Sequence, residues 1–223
     1  MANLYIVATP IGNLEDISQR ALFVLEEVDL ILCEDTRVTQ RLLNHFEIKT
    51  PTLSYHQHSK ITKINNIIGE LKNGKNIALV SDAGTPGISD PGNKLIKEVA
   101  NRLKNDIKII PIPGVSAVTT IASISGFSME KFCFMGFPPS KNKRKKFFKD
   151  ILNLNHPVVL YESPHRIIRT LEELKDINAK LDIVVGREFT KLFETIYRGN
   201  IGKVIDELKN DKIKGEFTIV INK

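Results

Sequence analysis

The stretch Val80-Ser81-Asp82-Ala83-Gly84-Thr85-Pro86-Gly87-Ile88-Ser89-Asp90-Pro91-Gly92 decides how the first half of the chain is interpreted. It lies between an apolar run typical of a buried strand, residues 77–81, and an amphipathic pattern that predicts a helix, residues 92–104. Three glycines and two prolines in thirteen positions exceed what a plain connection needs. Because open α/β sheets bind ligands at the carboxyl ends of their strands, the loop predicts a ligand site; a purely structural connection is the alternative.

Short β-branched runs alternate with helical patterns on both sides of this loop. Crossover helices between successive strands favour parallel pairing, so residues 1–112 are predicted to form an α/β domain with a mostly parallel sheet. The patterns predict strands at residues 4–8, 30–33, 52–55, 77–81 and 107–110 and helices at residues 60–72 and 92–104.

The second half follows a rigid breaker, Pro111-Ile112-Pro113-Gly114, and is predicted to be another α/β domain, residues 113–223. Its last three strands are joined with one helix, near residues 201–208, so a mixed sheet with antiparallel pairs is expected. Strands are predicted at residues 132–136, 158–161, 183–187, 193–198 and 216–222, and a helix at 165–175. Asp90 with Pro91, and Ser163 with Pro164, are interpreted as helix N-caps followed by first-turn prolines.

Composition limits the class of protein. Hydrophobic residues make up 42% and charged residues 26%, which is ordinary for a globular chain. The opening stretch lacks a basic signal region and no apolar run reaches the roughly 18 residues of a membrane span, so a cytoplasmic location is expected. Cys33 and Cys133 have no partner motif and are interpreted as buried thiols in a reducing compartment. A net charge of +6 favours a polyanionic partner such as nucleic acid.

Two motifs resemble a phosphate-binding loop and a metal site. Residues 69–76 almost match a phosphate-binding P-loop, but Asn76 replaces the magnesium-binding hydroxyl and the segment ends a helix, so its glycine is interpreted as a helix C-cap. His56 and His58 have the spacing of metal ligands, yet no further ligand stands near them in sequence. A polar loop that contacts substrate is favoured over a metal site. A hydrolase elbow is absent and neither cysteine has a neighbouring histidine, which argues against covalent catalysis.

Three further segments follow predicted strands. Residues 9–13 follow the first strand and residues 113–117 follow the fifth, so both are expected to face one crevice together with the long loop. Glu34-Asp35-Thr36-Arg37 follows the second strand and adds charged groups to the same rim. A capped helix start is the equally weighted alternative for this last segment.

Together these segments resemble the class III, or tetrapyrrole-methylase-like, methyltransferases, and in particular the family that methylates the 2′-hydroxyl of a cytidine in small-subunit ribosomal RNA. The resemblance spans essentially the whole chain. It rests on seven segments in order, which are Leu4 to Leu14, Glu34-Asp35-Thr36-Arg37, Ser54-Tyr55-His56, Ser81 to Gly92, Pro111 to Ala117, Gly136-Phe137-Pro138-Pro139 and Tyr161-Glu162-Ser163-Pro164-His165-Arg166.

The resemblance implies S-adenosylmethionine bound in the cleft between two α/β domains, and a homodimer. The residues that it places at the cofactor or its nucleoside are Pro10, Asp82, Gly84, Thr85, Ser116, Ala117, Tyr161, Arg187 and Glu216. Many members continue with a small C-terminal extension, whereas this sequence stops at Lys223, so part of the RNA-holding surface is expected to be missing or supplied by the dimer partner.

Methyl transfer needs alignment and a group that takes the 2′-hydroxyl proton, rather than a metal or a nucleophile. The sequence leaves four proton acceptors open: Glu34, Asp35, His56 and Glu162. Arg37, Arg166 and Arg187 are interpreted as phosphate ligands, and the basic cluster Lys143-Arg144-Lys145-Lys146 as an RNA contact, with a solvated helix start as its alternative. Two other functions stay open: methylation of a tetrapyrrole or a protein on the same fold, and a non-catalytic RNA-binding or ribosome-assembly module.

Overall fold

The computed structural model describes residues 2–56 and 59–223. The chain divides into two compact units, the first from Met1 to Ser116 and the second from Ala117 to Lys223. Within the described residues, no helix has the length and apolarity required to cross a bilayer.

The first unit contains a five-stranded, fully parallel sheet with the strand order β3-β2-β4-β1-β5. The strands are β1 (Ala2–Val7), β2 (Leu30–Cys33), β3 (Thr52–Ser54), β4 (Ile77–Leu79) and β5 (Ile107–Ile112). The helices are α1 (Gln19–Glu27), α2 (Thr36–His45), α3 (Ile61–Lys72) and α4 (Asn93–Leu103), with a short 3-10 helix at Leu14–Asp16. The parallel sheet predicted from the crossover pattern is confirmed.

Alternating side chains of these strands build a core on each face of the sheet. Leu32 and its neighbours pack against α3 and α4, while Ile31 and Cys33 pack against α1 and α2. Cys33 has no exposed surface, as its interpretation as a buried thiol predicts, whereas Cys133 is partly exposed. Helices on both faces leave the carboxyl ends of the strands as the edge where loops gather.

The second unit contains a mixed sheet with the order β6-β7-β10-β8-β9, in which β6 and β7 are parallel and the other pairs antiparallel. Its helices α6, α7 and α8 bury one face of this sheet. The predicted mixed sheet is confirmed. In chain order the elements are α5 (Ala117–Ile124), β6 (Cys133–Phe134), α6 (Arg144–Leu152), β7 (Val158–Glu162), α7 (Ile167–Ile177), β8 (Asp182–Arg187), β9 (Thr195–Asn200), α8 (Ile201–Lys209) and β10 (Phe217–Asn222).

Both predicted proline-associated N-caps are wrong. Helix α4 begins two residues later than an N-cap at Asp90 would place it, with Gly92 at the N-cap and a φ of 143° that favours glycine. Helix α7 has Arg166 at its N-cap, and the carbonyl of Ser163 accepts hydrogen bonds from the N–H groups of Arg166 and of Ile167, the first helical residue. In each case the proline lies in an additional turn, because a fixed proline φ suits a turn as well as a first helical position.

The glycine of the false P-loop does end a helix, as predicted. Gly74 follows the C-cap of α3 with a φ of 89°. Its N–H donates to the carbonyl of Leu71, and the next N–H, of Lys75, donates to the carbonyl of Glu70. This pair of bonds is the Schellman arrangement that terminates a helix.

Candidate functional site

Three loops meet at the carboxyl ends of strands β1, β4 and β5 in the first unit. The backbones of Thr9 and Gly84 exchange hydrogen bonds of 2.9 and 3.0 Å. The Thr9 hydroxyl donates to the carbonyl of Ser81 at 3.2 Å, and the Thr85 hydroxyl donates to the carbonyl of Val115 at 3.4 Å. The long loop is therefore tied to the loop after β1 and to the segment after β5, which is the meeting of loops that their positions after parallel strands predict.

Close backbone approach at this meeting point requires glycine. A Cβ on Gly114 would lie 2.9 Å from the Cβ of Ala8, so a side chain there would push the segment away from the end of β1. Gly84 has a φ of 78°, a conformation that other residues rarely adopt, and the side chain of Ile11 lies 3.5 Å from its Cβ position. The glycines thus hold backbone close to backbone, and Pro10 is buried beside them.

A pocket of about 410 Å³ opens at the carboxyl end of β2, next to the long loop. Its walls come from the turn between β2 and α2, from the end of β3 and from the start of the long loop. The lining residues are Glu34, Asp35, Thr36, Arg37, Ser54, His56 and Asp82. The structure therefore brings together Glu34, Asp35, Arg37, His56 and Asp82, which three separate sequence segments supplied as candidates. It adds Thr36 and Ser54, which belong to the same segments but were not candidates themselves.

Asp35 organises the charged side of the pocket. Its carboxylate caps α2 by accepting from the Arg37 backbone N–H at 2.8 Å and binds the Arg37 guanidinium at 2.6 Å. These contacts, the guanidinium first, lower the pKa of the Asp35 carboxyl well below its usual range. The backbone N–H of Asp35 donates to the Asp82 carboxylate at 2.9 Å, which fixes the long loop to the start of α2.

Glu34 has a different environment. Partial burial raises the pKa of its carboxyl, the negative charge of Asp82 raises it further, and the charge of His56 lowers it. A carboxylate with a raised pKa holds a proton more tightly and is a better proton acceptor. Both sequence interpretations of this segment hold in part, because Asp35 caps a helix while Glu34 faces the pocket.

The carboxylate of Glu162, another predicted proton acceptor, lies inside the second unit. Its side chain is 0% exposed and accepts from the Ser163 N–H and the Thr170 hydroxyl, both at 2.7 Å. The Arg166 guanidinium forms an ion pair with it at 2.8 Å. With its oxygens held by three internal donors, Glu162 has a structural role in this unit.

Arg144 is the member of the basic cluster that the structure places in the interior. Its side chain is 4% exposed, pairs with Glu173 at 2.8 Å and donates to the Thr170 hydroxyl and the Pro139 carbonyl. The prediction of Arg144 as an RNA contact is wrong for this reason. The neighbouring side chains Lys143, Lys145 and Lys146 are exposed at the start of α6.

The remaining predicted residues of the second unit also have internal contacts. Arg187 is buried and donates to the Asp211 carboxylate at 2.9 Å and to the Lys212 carbonyl at 2.6 Å. Glu216 is exposed and pairs with Lys191 at 3.0 Å. These contacts hold the Arg187 side chain inside the second unit, at the end of β8.

The ring of Tyr161 packs against two other aromatic rings, those of Phe134 and Phe137. Ala117 is the first residue of α5. Among residues 2–56 and 59–223 no three histidine, cysteine or carboxylate side chains are grouped as metal ligands would be, and His58 lies outside the described residues.

Residues 3–205 match the family model described as Tetrapyrrole (Corrin/Porphyrin) Methylases. Ribosomal RNA small subunit methyltransferase I of Thermotoga maritima is 43% identical over 100% of this chain and 99% of its own length. The same-named protein of Bacillus subtilis is also 43% identical, over 99% of this chain and 75% of its own length. The chain belongs to the ribosomal RNA small subunit methyltransferase I family. The resemblance seen in the seven sequence segments is confirmed.

Solved structures show how widely the fold of this methyltransferase I family is shared. A diphthine synthase matches 100% of the chain with a TM-score of 0.73, and cobalt precorrin-4 methyltransferase matches 99% with a TM-score of 0.68, each at 16% identity. The two-domain α/β fold predicted from the resemblance is therefore that of the tetrapyrrole methylases. Because enzymes with different names share it, the substrate has to be inferred from side chains.

Proposed function

We propose that this protein transfers a methyl group from S-adenosylmethionine to the ribose 2′-hydroxyl of a cytidine in the 16S RNA of the small ribosomal subunit. One observation carries the proposal in this member of the methyltransferase I family. The pocket at the end of β2 places a carboxylate of raised pKa, Glu34, next to an exposed cation, Arg37. Glu34 can take the proton of a hydroxyl group while Arg37 binds a phosphate beside it. This combination fits a substrate in which a nucleotide hydroxyl receives the methyl group.

The loops after β1, β4 and β5 fit S-adenosylmethionine. When bound, it supplies a methyl group on a positively charged sulfur, so the transfer needs no metal or covalent nucleophile. Backbone held close at Gly84 and Gly114 and the carboxylate of Asp82 offer hydrogen-bonding groups and negative charge beside one another. We assign its binding to Pro10, Asp82, Gly84, Thr85, Ser116 and Ala117, and we leave Arg187 out because its guanidinium is bound internally.

Glu34 is the proton acceptor that we favour. The Asp35 carboxylate is bound by Arg37 and has a lowered pKa, which makes it a poor base. Glu162 is buried in an ion pair. His56 lines the same pocket as Glu34 and its positive charge lowers the pKa of Glu34, so we assign it to holding the substrate and tuning this carboxyl.

RNA binding is assigned to exposed cations of both units. Arg37 is 85% exposed at its side chain, and Lys143, Lys145 and Lys146 are exposed around the start of α6. Such groups bind RNA phosphates whatever the base sequence. A homodimer, which the resemblance implies, is part of the same proposal and can be measured by sedimentation velocity.

The decisive experiment is a tritiated-methyl transfer assay with S-adenosylmethionine on naked 16S rRNA and on small subunits. Transfer to a cytidine ribose is expected in the presence of a chelator, provided that the RNA is prefolded. A substrate that lacks the target 2′-hydroxyl and is still methylated would show that the acceptor is another atom. RNA binding without any transfer would instead support a non-catalytic assembly module.

A further inference from the structure

An exposed aromatic cluster lies at the carboxyl end of β6 and β7 in the second unit. The Tyr161 ring packs 4.9 Å from the ring of Phe134 and 5.5 Å from the ring of Phe137, both measured between centroids. Phe134 and Tyr161 are partly buried, whereas Phe137 is 51% exposed. One ring is therefore presented to solvent on top of two others.

The backbone fixes where this ring lies. Gly136 accepts a hydrogen bond of 3.0 Å from the Tyr161 N–H, which extends the pairing of the two strands beyond β6. A φ of 63° at Gly136 then turns the chain so that Phe137 leaves the sheet. A single exposed phenylalanine needs no partner, but Phe137 differs because its ring continues an aromatic surface formed with Tyr161 and Phe134.

Two guanidinium groups hold the segment that follows Phe137. Arg166 donates to the carbonyl of Pro138 at 3.1 Å, and Arg144 donates to the carbonyl of Pro139 at 2.7 Å. Both arginines belong to the buried network around Glu162, through the ion pair of Arg166 and the Thr170 hydroxyl that Arg144 also binds. Glu162, Arg144 and Arg166, which the sequence suggested for catalysis and RNA contact, thus fix the backbone that follows the exposed Phe137 ring.

Exposed cations follow Phe137 closely in sequence, and their charge matches one kind of partner. Exposed lysines at positions 141, 143, 145 and 146 follow Phe137 within nine residues. Aromatic rings beside such cations are how proteins bind unpaired bases, with stacking on the ring and the cations at the phosphates.

We propose that Phe137, supported by Tyr161 and Phe134, is a stacking platform for an unpaired base of the substrate RNA. The inference rests on the proposed function and adds a base-binding subsite to it. Glu162, Arg144 and Arg166 are positioning residues, which act through the backbone of Pro138 and Pro139.

The test compares Phe137→Ala, Phe137→Leu and Phe137→Trp in methyl transfer to small subunits. Loss of one stacked base raises KM for the subunit by about 5- to 150-fold in the alanine variant, and kcat changes less. The leucine variant keeps an apolar side chain but no ring and is expected to follow alanine, whereas tryptophan keeps a low KM. Phe23→Ala removes a ring that is 62% exposed on α1 and serves as the matched control.

A direct probe uses single-stranded RNA of the methylated segment with 2-aminopurine, whose fluorescence falls on stacking. The wild type and Phe137→Trp should quench it, and Phe137→Ala should not. If wild-type protein transfers methyl groups but Phe137→Ala has an unchanged KM and unchanged quenching, the platform is refuted and the proposed function stands. If the wild type transfers no methyl group to any rRNA, the proposed function itself fails.

The positioning role is tested with Arg166→Lys, which keeps the charge and loses the planar fork. Arg166→Lys should raise KM for the small subunit when Phe137 is present. It should not raise KM further in the Phe137→Ala variant, because Arg166 acts through the Phe137 ring. A merely structural or direct phosphate role predicts independent effects in the two backgrounds and would overturn the assignment.

Discussion

Two strand-to-helix turns of this methyltransferase have similar residues and opposite environments. At the turn after β2, Glu34 is followed three residues later by Arg37, in the first turn of α2; at the turn after β7, the last strand residue, Glu162, is followed four residues later by Arg166. Arg37 is 85% exposed and Glu34 lines a pocket, whereas Arg166 is 24% exposed and Glu162 is 0% exposed.

The difference comes from what packs over each turn. At the first turn, partial burial raises the pKa of Glu34, and the neighbouring Asp82 carboxylate raises it further because its charge cannot neutralise Glu34. At the second turn, Arg166 and the Thr170 hydroxyl satisfy Glu162 and close the site. A carboxylate next to a like charge, such as Glu34, stays accessible and can accept a proton. A carboxylate bound by an opposite charge and by hydrogen bonds, such as Glu162, has a structural role.

The largest effect is expected at the turn after β2, where Glu34 lines the pocket. Glu34→Gln keeps the size of the side chain and removes the proton acceptor, so kcat should fall by about 10²- to 10⁴-fold while thermal stability is retained. Single-turnover methyl transfer at saturating RNA measures this. Glu26→Gln, an exposed change on α1, is the control, and a kcat for Glu34→Gln equal to that of the control would remove Glu34 from the chemistry.

At the turn after β7, a substitution of Glu162 should change the stability of the fold. Glu162→Gln leaves the Arg166 guanidinium without its counter-charge and should lower the free energy of unfolding by about 3 kcal/mol, the lower end for a buried pair because Arg166 is 24% exposed. Urea denaturation measures the loss. A change in kcat as large as that of Glu34→Gln, without loss of stability, would mean that the two turns are functionally alike.

The rate of methyl transfer is expected to depend on pH through Glu34. Glu34 acts deprotonated, so the rate rises with pH through its pKa, which burial and the Asp82 charge raise. Asp82→Asn keeps an acceptor for the Asp35 N–H but removes the charge, so the acidic limb of the pH–rate profile should move to lower pH. His56→Gln removes an opposing positive charge and should move it to higher pH. Two variants that move the limb in the same direction would contradict this account.

The smallest effect is expected for RNA affinity at the two arginines. Arg37→Gln should reduce the slope of log affinity against log salt by about 0.7 for a single-stranded contact or about 0.9 for a duplex one. Arg166→Gln should leave the slope unchanged, because its guanidinium is bound by Glu162 and a carbonyl oxygen. Fluorescence anisotropy over a salt series gives both slopes, and equal reductions would place Arg166 at a phosphate.

The sequence by itself determined the strands, the parallel and mixed sheets, and the meeting of three loops at one sheet edge. These depend on hydrophobic periodicity and on chain connectivity, which are local properties. The family could also be inferred, because its motifs are contiguous segments such as those that begin at Glu34 and Tyr161.

Only the tertiary structure decided which charged residues face a pocket. Glu162 and Arg144 have the same sequence signals as Glu34 and Lys145, but Thr170 and Glu173, from a helix later in the chain, bind them internally. Local sequence fixes where a side chain leaves the backbone. Whether its charge meets water, a like charge or a partner depends on residues distant in sequence, and that contact sets both its pKa and its role.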